Sequence, residues 1–355
     1  MILNRISEVR KLLCQNNLDA LMVTNQSDIF YLSGFNTSDC VLIFTPSENI
    51  LITDSRYTLI AQSVAQGYEI IECNSNQVGF IRSWLTEHGC KRVGIQDEQL
   101  TLRRYMDFSQ GLSIEFCPIG QRLTLMRAVK DDNELANICA AQKIADEAFT
   151  HMLGYIKPGQ TETEIALELE FTMRRMGAAK LSFDSIVASG PNSAKPHAVP
   201  EERKICCGDL LTLDFGCVVN GYCSDMTRTI GIGSLNREQL DIYEIVLEAH
   251  NRSKHALAPG VSSKSIDELA RGYIASKGYG KYFGHGLGHG VGIDIHELPV
   301  LSFRSDTILE PGNVVTIEPG IYVPELGGVR IENMCAISKE GYIDLAKSDN
   351  KLIII

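Results

Sequence analysis

A chain of 355 residues, 44% hydrophobic and 22% charged, has the composition of a globular protein long enough for two domains. Its net charge of −11 argues against a general nucleic-acid binder and leaves no basic patch for an anionic membrane surface. No apolar run reaches the length of a membrane span and no export signal opens the sequence, so eleven cysteines without a Cys-x-x-Cys pair are expected as reduced thiols in a cytoplasmic protein.

Residues 1–124 are expected to form a smaller α/β domain. Ile6, Val9, Leu12 and Leu13 line one helical face that ends near Asn16-Asn17. Short apolar strands follow at 20–23, 41–44 and 50–52, and helical patterns near 57–65, 80–87 and 100–108 alternate with further strands. Asp54-Ser55-Arg56-Tyr57 reads as a helix-start cap. The texture changes near residue 125, where Arg127-Ala128-Val129-Lys130 leads into Asp131-Asp132-Asn133-Glu134, a capping arrangement. The long helix that follows carries Leu135, Ile138, Ala145, Phe149 and Met152 on one side, so a second domain is expected over 125–355.

That second domain contains a repeat. Pro158-Gly159 with Ile165 is echoed by Pro259-Gly260 with Ile266, an offset of 101, and Gly177 and Gly278 end the following helices at the same offset. The adjacent Cys206-Cys207 make poor joint ligands and read as small buried residues.

The chemistry gathers in three stretches. Val219-Asn220-Gly221-Tyr222 signals a two-residue hairpin, in which paired residue numbers sum to 441. Asp214 then faces Thr227, and Asp225 faces Gly216, which makes the two aspartates diagonal neighbours on one strand face, roughly 7–8 Å apart at most. Two such charges repel unless protonated or bridged by a cation. Further on, the run Gly284 to Gly292 has glycine at every second position, so its backbone is expected to crowd something small and to present His285 and His289, with His296 just beyond. Glu318 precedes Pro319-Gly320, and Glu332 follows Arg330 on the same strand face, with Arg330 as its ion-pair partner or a substrate contact. With one carboxylate pair from each repeat and the imidazole of His289, the charge of −4 matches two divalent ions, and the donor set suits Mn²⁺, Co²⁺, Zn²⁺ or Fe²⁺.

Leu213-Asp214-Phe215-Gly216, Ser224-Asp225-Met226-Thr227-Arg228-Thr229, Gly288-His289-Gly290-Val291-Gly292, His296-Glu297, Ile317-Glu318-Pro319-Gly320 and Val329-Arg330-Ile331-Glu332 together resemble the pita-bread metallopeptidases, and among them the Xaa-Pro aminopeptidase and prolidase branch. The resemblance implies an α+β fold: a pita-bread catalytic domain with an internal pseudo-two-fold, preceded by a creatinase-type N-terminal domain. It implies Asp214, Asp225, His289, Glu318 and Glu332 as ligands of two divalent ions, Mn²⁺ first, with Co²⁺ or Zn²⁺ as alternatives. Glu318 would also shuttle a proton, His197 and His296 would flank the substrate and stabilise the tetrahedral intermediate, and Arg330 would join them in catalysis. His285, Thr227 and Tyr322 would stand behind the ligands or against the substrate.

The reaction so implied is hydrolysis of the N-terminal Xaa-Pro bond of a peptide by a metal-bridging hydroxide, in a homodimer. Prolidase action on dipeptides is the alternative. A catalytically inactive pita-bread adaptor is the rival of another class, and the intact ligand set counts against it. One departure from the pattern bears on peptide length. Many prolidases place an arginine after His-Glu-x-Pro to grip a dipeptide's carboxylate, whereas His296-Glu297-Leu298-Pro299 is followed here by Val300, which favours longer peptides.

Overall fold

The computed structural model describes residues 2–355, in two compact units that divide between Met126 and Arg127. In the first, Ile6, Val9, Leu12 and Leu13 are the buried face of helix Ile2–Gln15. A six-stranded mixed sheet follows, in the spatial order Glu69–Glu72, Asn49–Thr53, Cys40–Phe44, Ala20–Val23, Arg92–Ile95, Glu115–Pro118. Met22, Val41, Ile43, Ile52, Val93 and Ile95 join Ile81, Trp84, Leu85 and Phe108 of the covering helices in one core.

One helix goes unread in the sequence of this unit, and one expected cap fails. Helix Gln26–Ser33 has no amphipathic stripe to betray it, because Asp28, Ile29, Tyr31, Leu32 and Ser33 are all buried; its signals are the Asn25 cap on the Asp28 N–H and Gly34 at φ 75°. Asp54 does not cap the helix Thr58–Val64, whose N-cap Tyr57 makes no side-chain bond. Its carboxylate instead accepts from the Arg56 backbone and guanidinium, at 2.6–2.9 Å, and so closes a turn.

In the second unit, Asp131 and Glu134 form a capping box at the start of helix Asp132–Tyr155. The repeat is visible in the backbone. Helices Glu162–Arg175 and Ser263–Ser276 each have 14 residues, and both follow a glycine in the left-handed region, Gly159 at φ 94° and Gly260 at φ 85°. Gly159 donates to the Ile205 carbonyl at 2.9 Å, and Gly260 to that of Leu309 at 2.8 Å. Each half then lays its helix pair on antiparallel strands. Phe149, Ile165 and Leu169 pack with Leu211, Leu213, Phe215 and Met226, while Val246, Ile266 and Ala270 pack with Val315, Ile317, Ile321 and Val329. In the first half Leu210–Phe215 pairs with Met226–Gly231, and in the second Val314–Ile317 pairs with Asn333–Ile337. Asp214 lies near the end of the first strand and Asp225 just before its partner. Glu318 lies just after the third strand and Glu332 just before its partner. The two halves thus supply carboxylates at equivalent places.

Among the alternate glycines of 284–292, two admit the close approach of other backbone. A Cβ at Gly288 would sit 2.0 Å from the Thr316 carbonyl oxygen, and one at Gly290 would sit 2.3 Å from that of Leu298. At these two positions the backbone that crowds in is that of the neighbouring strands. Gly288→Ala should cost about 1–3 kcal/mol through forced separation of these strands. Gly284→Ala, with nothing within 4 Å of its Cβ, should stay within about 0.5 kcal/mol of wild type in urea unfolding. Among the described residues, no helix is long and apolar enough to cross a membrane. All eleven cysteines are free; Cys206 and Cys207 are exposed at the turn before Leu210, not buried as their size suggested.

Candidate metal centre

The hairpin register holds as the turn dictates. Asn220 and Gly221 adopt φ 50° and 85°, Val219 pairs with Tyr222, and Thr227 with Asp214. Asp225 is buried, with its carboxylate 3.5 Å from His289 Nε2, and Glu318 Oε1 lies 3.4 Å from the same nitrogen. One ligand atom each from Asp225, His289 and Glu332 falls within 4.8 Å of the others.

Hydrogen bonding fixes the tautomer of the imidazole. His289 Nδ1 lies 3.0 Å from the Gly290 carbonyl, which can only accept, so Nδ1 carries the proton and Nε2 keeps its lone pair toward the carboxylates. Burial pushes its pKa down to about 4, so the ring is neutral at neutral pH.

Arg330 knits the cluster together. Its Nη2 donates to Asp214 Oδ2 at 2.5 Å, and its Nε to Thr227 Oγ1 at 3.1 Å. Thr227 in turn donates to Glu332 Oε2 at 2.7 Å. The ion-pair partner of Arg330 is thus Asp214, with Glu332 reached through the Thr227 hydroxyl, because the register brings Asp214 opposite Thr227. Arg330 Nη1 also donates to the Tyr322 hydroxyl at 2.9 Å, and Tyr322 to His285 Nε2 at 2.9 Å. His285 Nδ1 faces the Gly286 carbonyl at 2.8 Å, which fixes the direction of the whole chain of bonds.

His296 is exposed, with its ring centroid 4.4 Å from that of His289. His197 is exposed too, next to Pro196, whose carbonyl accepts from Arg330 Nη1 at 3.3 Å. Thr316 was missed in the sequence, and Glu297 stood there only as part of a motif, with no role. Thr316 Oγ1 accepts from the His289 N–H at 3.0 Å and donates to Glu318 Oε1 at 3.3 Å; its place two residues before Glu318 on a strand was the available signal. Glu297 is buried against Arg127 and Lys130, 167–170 residues away in sequence, and no local pattern announces that pairing.

The residues fit divalent cations. Asp225, Glu318 and Glu332 converge on a neutral imidazole, Arg330 ties Asp214 to them, and Asp214 Oδ1 is buried with no hydrogen-bond partner among the described residues. Burial first, then repulsion from Glu332, Asp214 and Glu318, raises the pKa of Asp225. Burial first, then Glu318 and Asp214, does the same for Glu332, and burial raises Glu318 to about 8. Without cations, these groups favour the folded state while protonated, below the ordinary carboxylate pKa. That contribution is lost as pH rises towards 8. Metal-free protein is therefore expected to lose thermal stability between pH 5 and pH 8, and added Mn²⁺ should restore it by an amount that grows with pH. A Tm gap between the two forms that narrows over that range would contradict this electrostatic picture.

Comparison with known proteins gives the family. Residues 136–339 match the model of metallopeptidase family M24, and residues 5–129 match the creatinase/prolidase N-terminal domain. The chain belongs to metallopeptidase family M24. A structure described as an Xaa-Pro dipeptidase from Bacillus anthracis superposes with a TM-score of 0.97 at 41% identity, covering 100% of both chains. An Xaa-Pro dipeptidase of Pyrococcus horikoshii is 36% identical over 98% of each chain. A structure described as an X-Pro aminopeptidase from Thermotoga maritima has a TM-score of 0.92 at 34% identity, covering 99% of both chains.

Proposed function

We propose that this metallopeptidase cleaves the peptide bond before proline, with Xaa-Pro dipeptides as its leading substrates. The observation that carries the reading is the convergence of Asp225, Glu318 and Glu332 on His289, with Asp214 tied to them through Arg330, together with the full-length relatives described as Xaa-Pro dipeptidases. Asp214, Asp225, His289, Glu318 and Glu332 would hold the metal, with Mn²⁺ ahead of Co²⁺ or Zn²⁺ for so oxygen-rich a set. Two divalent cations bound there would acidify a water and polarise the scissile carbonyl.

The chain's own groups supply the rest. Glu318, held by Thr316, takes a proton from the attacking water and passes it to the departing nitrogen. His296 and His197 donate to the oxygen that gains charge. Arg330 holds Asp214 in orientation through its Nη2 bond to Oδ2. A proline nitrogen carries no hydrogen in the peptide, so this geometry needs none from it. A cytoplasmic location, supported by eleven free cysteines, and a homodimer, suggested by the family resemblance, complete the reading.

The test is a panel of Xaa-Pro, Xaa-Pro-Yaa and Met-Ala peptides with added Mn²⁺. Xaa-Pro cleavage with Met-Ala left intact supports the reading, and the reverse overturns it. A second reading, preference for longer peptides, is favoured by Val300, which is exposed and apolar. Val300→Arg should shift the kcat/KM ratio towards dipeptides about tenfold or more, since a charge-assisted hydrogen bond contributes about 1.5–3 kcal/mol. An unchanged ratio removes that reading.

A further inference from the structure

The loop that ends at His296 is pinned by the residue that follows it. Glu297 and Lys130 have side chains only 1% exposed, and Arg127 is 6% exposed. Glu297 Oε2 accepts from Lys130 Nζ at 3.0 Å, and Oε1 from Arg127 Nη1 at 3.1 Å. Oε1 also accepts the backbone N–H of Ile293 at 3.0 Å and of Asp294 at 3.1 Å. Arg127 Nη1 reaches Asp294 Oδ2 at 2.8 Å as well. The carboxylate sits so close to the chain that a Cβ at Gly292 would lie 2.4 Å from Glu297 Oε2. One buried anion thus closes 292–297 into a tight loop and is itself held by two cations from the lead-in to the first long helix of the unit.

A buried ion pair is weak evidence for stability, because desolvation offsets most of the attraction. What this one does provide is fixed geometry. With Glu297 turned inward and locked, His296 is left exposed at the loop's end, 4.4 Å from His289 between ring centroids. We propose that Glu297, clamped by Arg127 and Lys130, is a positioning residue that sets the His296 imidazole over the metal centre. This rests on the reading of His296 as the group that donates to the developing oxyanion. Glu297 touches no reacting atom. It acts through the backbone of one loop, and displacement by even 1 Å at a reacting centre can cost about 10²-fold in rate.

The experiment combines Glu297→Gln and, separately, Lys130→Met with His296→Ala, all in the full-length, Mn²⁺-loaded protein. Glu297→Gln keeps the shape and the carbonyl acceptor but weakens the clamp; Lys130→Met removes one cation and leaves Arg127 in place. Each should lower kcat by about 10–100-fold, the range for groups that orient a site from behind, with KM and bound metal close to wild type. In the His296→Ala background, neither should lower kcat further, because the path through His296 is already gone. The imidazole resonance of His296, read in Zn²⁺-loaded protein because paramagnetic Mn²⁺ would broaden it and assigned by its loss in His296→Ala, should shift in both clamp variants.

Equal kcat losses with and without His296 would overturn the proposal, as would wild-type kcat and an unmoved resonance in folded, metal-loaded clamp variants. If the resonance moves while His296→Ala keeps full activity, the clamp stands and the reading of His296 falls.

Discussion

Asp225→Asn is expected to strip metal from the centre and abolish most activity. Asp225 is buried, 3.5 Å from His289 Nε2, and shares a 4.8 Å cluster with His289 and Glu332. The amide is nearly the same size, so packing survives, but it removes one negative charge and leaves a weaker donor. Burial and the surrounding carboxylates make Asp225 hard to ionise without a cation, so its charge and the cation's binding are mutually dependent. Loss of a group behind a ligand already costs about 10–100-fold in affinity or activity, and loss of a ligand should exceed that. Elemental analysis of the purified variant, alongside kcat, checks this. Wild-type metal content would remove Asp225 from the ligand set.

His296→Ala and His289→Ala should fail in different ways. His289 presents Nε2 to Asp225 and Glu318 and is wedged by the Gly290 carbonyl and the Thr316 hydroxyl. Its removal should lower metal content. His296 is exposed at the mouth of the same cluster, so His296→Ala should keep its metals and lose about 10²–10³-fold in kcat, the scale for one oxyanion donor. Equal metal loss in both would show that ligand and helper had been exchanged.

Much of this centre could be read from the chain alone, and the reasons are local. Asn220-Gly221 permits one hairpin register, and that register brings Asp214 opposite Thr227 without any tertiary information. The repeat offset of 101 relates two 14-residue helices, and so two carboxylate pairs. Contacts set by tertiary packing were not legible in this way. Arg330 sits two residues before Glu332, which suggested the two as partners, yet the fold sends its guanidinium to Asp214, 116 residues away. The clamp on Glu297 depends on helix-entry residues with no distinctive spacing. Gly288 and Gly290 were legible as sites of close approach, but that strand backbone approaches them is revealed only by the sheet order.

The central claim is that two divalent cations complete this site. Protein stripped with a chelator should be inactive on Xaa-Pro peptides, and titration with Mn²⁺ should restore activity in step with binding, reaching a plateau at about two ions per chain. Full activity in the presence of chelator, in protein shown by elemental analysis to carry no metal, would contradict the account.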